Sequence, residues 1–319
     1  NGYTSRVDNF GEVENKGIEF NAEGIAINKG DLNWTINANI GFNRNKLKKL
    51  NSNLDFQLGP SIGFSQAYPI LFMVDQPLGI YWGAETDGVY SSWEEANASG
   101  IAGAAPGEIR YINHHVDLDD SGQPLEIQEI NFDDYVKIGD PNPDFTYSIS
   151  NNFSYKNWDA NILFTGQKGG DLFWVDSWQL SGLQKTTNIL SSSYANSWIA
   201  PLYYENGNYI YDESIGNLNS VNHPGAMIET GSRAISSDRN IFDGSFIRLK
   251  NINIGYNFDL KDGKNMRVYL AGQNLVVWTD YPGYDPEVRT YTKNPQKRGV
   301  DFGTYPGTRS LLLGLKFNY

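Results

Sequence analysis

The residues best arranged to bind something lie in VDLDDSG, Val116 to Gly122. Asp117, Asp119 and Ser121 alternate, and Gly122 permits the sharp turn that follows, as in the first half of a calcium loop. Gln123 completes the candidate set. A closing carboxylate is expected six residues beyond the glycine, where the chain has Gln128. Two readings stay open: a structural Ca2+ (or Mg2+) that pins a loop, or an acidic turn with solvated carboxylates. His114 and His115 adjoin this segment, but neighbours on a strand point to opposite faces and do not share a metal. The chain has no G-x-S-x-G, no P-loop and no G-x-G-x-x-G unit, and pairs such as Asp119 and Asp120 arise by chance in a segment this acidic. Neither an enzyme nor an organic cofactor is expected.

A second constellation is aromatic. Trp174, Trp178, Trp198, Tyr203, Tyr204 and Tyr284 sit in segments without regular periodicity. Such rings stack on sugar faces through their apolar bodies, or they pack long loops against one another.

Strands must position both sets. From Asp144 to Thr165, Phe145, Tyr147, Ile149, Phe153 and Tyr155 alternate with Thr146, Ser148, Ser150, Asn152 and Ser154. After a short turn at Lys156 and Asn157, Trp158, Ala160, Ile162 and Phe164 resume the pattern, which predicts a hairpin. Leu32, Trp34, Ile36, Ala38, Ile40 and Phe42 alternate with Asn33, Thr35, Asn37, Asn39, Gly41 and Asn43. A polar face of Asn, Thr and Gly suits a wet lumen better than a globular surface rich in Lys and Glu. Arms of about ten residues match a tilted strand crossing a bilayer. Short turns near 29 to 31, 75 to 78, 156 to 157 and 259 to 265 alternate with long connections, the asymmetry of an outer-membrane barrel. The predicted fold is all-β, an antiparallel membrane barrel portion of about nine strands, with Gln66 to Val74 and the stretch from Gly79 counted among them. An odd number predicts a wall completed by further sequence of the same protein or by a second chain, and residues 1–319 also begin without Met.

Composition narrows the classes further. With 14% aromatic and 39% hydrophobic residues among 319, the chain is not disordered. It has no cysteine, hence no disulfide and no thiol chemistry, and no apolar run long enough for a transmembrane helix. The net charge of −12 argues against nucleic acid. Glu85 to Asp140 holds 13 acidic residues against Arg110 and Lys137, a balance of −11, so the acidity belongs to one loop.

GEVENKGIEF (Gly11 to Phe20), VDLDDSG, IGDPNPDFTYSISNNFSYKNWD (Ile138 to Asp159), DGSFIRLKNINIGYNF (Asp243 to Phe258), GQNLVVWTDYPGYDPEV (Gly272 to Val288) and the aromatic C-terminus resemble, in this order, the C-terminal third of a SusC/RagA-type TonB-dependent transporter of Bacteroidetes. The resemblance implies a 22-stranded outer-membrane barrel, of which residues 1–319 would be the last nine strands, with the plug domain and the TonB-contacting segment upstream. It implies import of glycan or peptide oligomers beneath a SusD-like surface lipoprotein that acts as a lid, so the loop aromatics are also candidates for lid contact. It suggests Asp134, shortly before Ile138 and Gly139, as the carboxylate that closes the calcium loop. Phe317 and Tyr319 resemble the terminal aromatics by which outer-membrane assembly machinery recognises its clients. Two alternatives remain: a soluble carbohydrate-binding β-sandwich, and a related chain that serves as a structural subunit of a larger outer-membrane complex.

Overall fold

Strict alternation over long stretches leaves the backbone one economical solution, a strand with two unlike faces. The computed structural model describes residues 11–51, 54–62, 68–181, 188–212, 235–288, 290–291 and 294–318. Seven long strands form one sheet: β1 (Gly11–Lys29), β2 (Leu32–Leu50), β3 (Pro143–Tyr155), β4 (Trp158–Gly169), β5 (Phe246–Asp259), β6 (Asn265–Trp278) and β7 (Ser310–Asn318). Each pairs antiparallel with its neighbours in chain order, an up-and-down wall. Turns at 30–31, 156–157 and 260–264 close one rim, while segments 51–142, 170–245 and 279–309 leave from the other. At the tight turns Gly30 has φ +58° and Lys156 φ +52°, the left-handed conformation that two-residue hairpins require.

Register gathers the apolar residues on a single face. One row runs Ala160, Ile254, Leu270, Leu313 through β4, β5, β6 and β7, and the next runs Trp158, Tyr256, Val268, Leu315. Phe20 pairs with Ile40, which pairs with Tyr147, and Trp34 stacks on Phe153 with centroids 5.3 Å apart. Among the described residues no protein layer covers this face: Leu270 is 53% exposed and Leu313 74%. A soluble sandwich would bury these rows against a second sheet, so that alternative is set aside. Bulges repair the sequence where its alternation slips. Ile247 and Leu249 are out of phase with Ile252 and Ile254, and the register shift between Leu249 and Asn251 returns all four to the apolar face. The phase lost near Gly24 is restored likewise by a shift between Ile25 and Ile27, which sets Ile27 opposite Trp34.

Seven strands rather than nine make up the wall among the described residues. Ile70–Met73 and Ile80–Gly83, expected as barrel strands, join Phe56–Leu58 and Val136–Gly139 in a separate four-stranded sheet. They are short and buried almost throughout, so they form loop core rather than a two-faced wall. Conversely, β1 and β2 reach 19 residues each, roughly 60 Å of strand. This exceeds what a bilayer core needs, and the far end of β2 rises among the loops, where Leu47 and Leu50 are buried. There they meet Ile70 and Tyr81 from the first long loop, Phe173 and Trp178 from the second, and Val300 from the third. One core thus ties all three loops to the wall. No helix is long and apolar enough to cross a membrane among the described residues.

Leu270→Lys, near mid-wall on the apolar face, is expected to cost about 2–4 kcal/mol of folding stability in a bilayer. Ser150→Lys, on the opposite face, should cost under about 1 kcal/mol. Urea titration of the protein refolded into vesicles measures both.

Candidate functional site: the polar face and the loops above it

The same register that segregates the apolar rows aligns amides and hydroxyls behind them. Asn39 donates to Asn21 Oδ1 at 2.6 Å, and Asn161 donates to Ser150 Oγ and Asn152 Oδ1 at 3.0 and 2.7 Å. Toward the short-turn rim, Arg267 forms a two-pronged pair with Asp159 and also donates to Asn253 Oδ1 at 2.7 Å. Its guanidinium lies 4.8 Å from the Tyr269 ring centroid. The other groups named here are neutral carboxamides and hydroxyls, which both donate and accept, while Glu19 and Glu23 add negative charge in the same rows, opposite Gly41 and Asn37. Such a face offers hydrogen bonds to an uncharged polar chain without fixing its charge.

Over this face the loops are held by buried polar contacts. Arg248 of β5 is 3% exposed and meets Asp285 Oδ1 at 2.5 Å and Glu287 Oε2 at 2.8 Å. Asp285 Oδ2 also accepts the Gly307 amide at 3.2 Å, so one arginine secures both arms of the 279–309 loop. Within that loop the Tyr281 hydroxyl donates to Asp301 Oδ2 at 2.6 Å, and burial, followed by that hydrogen bond, pushes the phenol far above its ordinary range. Asp171 accepts the Asp140 amide at 2.8 Å and Asp176 the Gly303 amide at 2.9 Å. Burial raises both carboxyls above the usual carboxylate range.

The acidic turn is built as a hairpin of side-chain caps. Asp119 Oδ1 accepts the Ser121 amide, the Ser121 hydroxyl and the Gln123 amide at 2.7–2.9 Å. The Ser121 hydroxyl bond leads the interactions that hold this carboxyl below its ordinary range. Asp117 accepts the Glu129 amide and the Asn131 side chain, and Gln128 Oε1, where a closing carboxylate was expected, accepts the Asp117 amide at 2.7 Å. Asp134 is fully buried and accepts the amides of His114, His115 and Asn131. Asn131 bridges it to Asp117, and among the described residues no three His, Asp or Glu side chains gather as for a metal. The reciprocal cap between Asn131 and Asp134 was missed in the sequence, although N-x-x-D before a short helical turn was its signal.

The aromatic candidates divide. Trp174, Trp178 and Trp198 are buried: Trp174 packs edge-on to Phe242 and Tyr281, and Trp178 packs edge-on to Phe173. Trp198 lies against Gly107, whose missing side chain makes room for the indole, since a Cβ there would come within 2.5 Å of the ring. These rings hold loops together and present no open stacking face. Tyr284, 77% exposed, does present one. Tyr203 and Tyr204 belong to the strand Leu202–Glu205, paired with Asn208–Tyr211, and their side chains lie outside the described residues. Phe317 is exposed on the apolar face opposite Met266, and Tyr319 lies outside the described residues. The Arg248 anchor was missed in the sequence, although a lone basic residue between Phe246, Ile247 and Leu249 was its signal.

An up-and-down wall with one bare apolar face, short turns on one rim and long loops on the other defines a membrane β-barrel portion. The chain is 33% identical over 330 residues to TonB-dependent receptor P3 of Formosa agariphila, covering 100% of this chain and 30% of that protein. It is 25% identical over 332 residues to TonB-dependent receptor SusC of Bacteroides thetaiotaomicron, covering 98% and 27%. Among solved structures, the RagAB peptide transporter shares its fold at a TM-score of 0.71 with 18% identity, over 99% of this chain and 30% of that one. No family model matches. The chain belongs with the SusC/RagA-type TonB-dependent receptors and spans about a third of the length of the relatives it matches. Those relatives are receptors and transporters rather than enzymes.

Arg248→Met leaves the buried Asp285 without its cation, a loss of about 3–5 kcal/mol in local stability. Proteolysis should then cut within 279–309 while the wall strands stay protected, and Arg248→Met with Asp285→Leu together should recover most of the protection.

Proposed function

We propose that this chain forms barrel wall and extracellular loops of an outer-membrane importer of oligomeric nutrients, glycans or peptides, working with TonB and a SusD-like lipoprotein lid. The observation that carries this reading is the pairing of a bare apolar face with an Asn- and Ser-rich face in a single register. One side suits lipid tails and the other a wide aqueous lumen. Carboxamides facing that lumen favour uncharged polar oligomers, a description that glycans and peptides both meet. The long loops form the outer vestibule, where exposed Tyr284, with Tyr203 and Tyr204, would touch cargo or lid, while Trp174, Trp178 and Trp198 brace the assembly.

Deleting the full-length receptor should abolish uptake of its labelled oligomer while leaving monomer uptake intact, and dissipating the proton gradient should do the same in the wild type. Oligomer uptake that persists in the deletion strain would set the proposal aside. Competition between unlabelled glycan and peptide oligomers then assigns the cargo class.

Calcium at Asp117, Asp119, Ser121, Gln123 and Asp134 is proposed on the D-x-D-x-S-G spacing, as a pin for the loop rather than a participant in transport. Calorimetry with CaCl2 should give a binding heat in the wild type that Asp117→Ala removes; equal heats dismiss the ion and leave the hydrogen-bonded caps as the pin.

A further inference from the structure

Toward the loop end of the polar face, a pocket of about 420 Å³ opens where β1 and β2 meet the loops. Its volume falls in the roughly 300–1,000 Å³ range of small-ligand sites. Val13, Phe72 and Leu78 give it an apolar side. Asn43 and Asn45, with Asn15 opposite Asn45, continue the row of Asn37 and Asn39, so the pocket faces the same side as the amides below. Part of its lining is committed. Asn45 donates to Asn142 Oδ1 at 2.8 Å and accepts the Leu78 amide at 2.7 Å, while Asn142 donates to the Leu78 carbonyl at 3.1 Å and to Asp140 Oδ1 at 2.7 Å. Lys137 balances Asp140 at 3.1 Å. The rest is open: the side chains of Asn15, Asn43, Gln296 and Arg298 form no hydrogen bond or ion pair among the described residues.

Arg298 is anchored through its backbone. Its carbonyl accepts the buried Tyr81 hydroxyl at 2.9 Å, and at Gly299, φ +72°, a Cβ would come within 2.5 Å of that hydroxyl. Arg44, Arg110, Arg248 and Arg267 each reach a carboxylate of this chain, whereas exposed Arg298 presents its guanidinium to the pocket. A planar fork of donors beside an apolar wall suits a carboxylate on a compact ring or side chain, with the carboxamides left to take neighbouring hydroxyl or amide groups. Glu19 and Glu23 lie further along β1 toward the short-turn rim, so their charge stands below the pocket rather than in it. We infer that this pocket is a subsite at the barrel mouth for a carboxylate-bearing unit of the imported oligomer, with Arg298 as the residue that selects the charge. The inference rests on the import reading above and narrows its cargo to acidic oligomers, either uronate-containing glycans or acidic peptides.

The test uses the full-length receptor in detergent and two matched pairs of probes. One pair is a galacturonate oligomer and its methyl ester; the other is a glutamate-containing peptide and its glutamine counterpart, both capped at their termini. In titration calorimetry the wild type should bind the acid member of one pair about tenfold tighter than its neutral partner, and the pair that shows this preference names the source. Arg298→Gln should bring acid and neutral members within about twofold of each other, while Arg298→Lys keeps part of the preference. Asn43→Ala should weaken both members alike, by about fivefold. The Arg298 head supports no contact of the fold among the described residues, so Arg298→Gln should unfold at the wild-type temperature. Equal binding of acid and neutral members by the wild type, no binding of any probe, or a preference that survives Arg298→Gln overturns the subsite. Each leaves standing the import reading, which the deletion strain tests separately.

Discussion

Register is the constraint on which everything else depends. With a side-chain period of two, a one-residue slip between any neighbouring strands would turn an apolar row toward water and an amide row toward lipid. The wall avoids this by local means. Where the sequence changes phase, at Gly24 to Ile27 and at Leu249 to Asn251, a bulge absorbs the extra residue and the rows remain continuous. Tight turns at Gly30 and Lys156 fix two of the hairpins at the opposite end. Neither device stabilises much by itself, yet together they leave the strands a single alignment.

Stability is distributed unequally along the strands. At mid-wall the apolar face has no partner among the described residues and depends on its solvent, while the loop end carries the buried core of Leu47, Tyr81, Phe173, Trp178 and Val300. Three segments far apart in sequence meet there, so loss of one exposes apolar surface of the other two. The Arg248 network extends this linkage downward, since it fastens the third loop to a wall strand through charges sealed from water. A surface ion pair could not do this, because screening would reduce it to well under 1 kcal/mol or so.

The hairpins at Leu32 to Phe42 and Phe145 to Phe164 were legible because alternation encodes both faces and their spacing at once. Wall strands and loop strands were harder to separate. Ile70 to Met73 and Ile80 to Gly83 carry the same residue types as a barrel strand, and only their shortness and burial on both sides distinguish them. The candidate sites were legible by residue type but not by role. Indoles at 174, 178 and 198 read equally well as stacking platforms or as core, since burial is decided by segments over a hundred residues away in the case of Val300 and Phe173. Asp134 shows the same limit: its carboxylate could close a metal loop or cap backbone amides, and only tertiary placement shows which donors face it.

The division of labour between faces explains why the polar one is so plain. A luminal surface that had to hold the fold together would need large, shape-matched side chains, and these would grip some cargo and exclude the rest. With cohesion supplied by the loop core and, on the membrane reading, by lipid contact, much of the inner rows can be Asn, Ser, Thr and Gly, small groups whose hydrogen bonds satisfy one another across strands, with charge confined to points such as the Arg267–Asp159 pair and Glu19 and Glu23. Each such bond contributes only about 1 kcal/mol net and exchanges readily with water. On the import reading proposed above, a chain of hydroxyls or peptide groups can replace its neighbours step by step, without any single contact strong enough to trap it. On the same reading, selectivity falls to the loops, where Tyr284 and the acidic hairpin stand exposed beside the buried tryptophans.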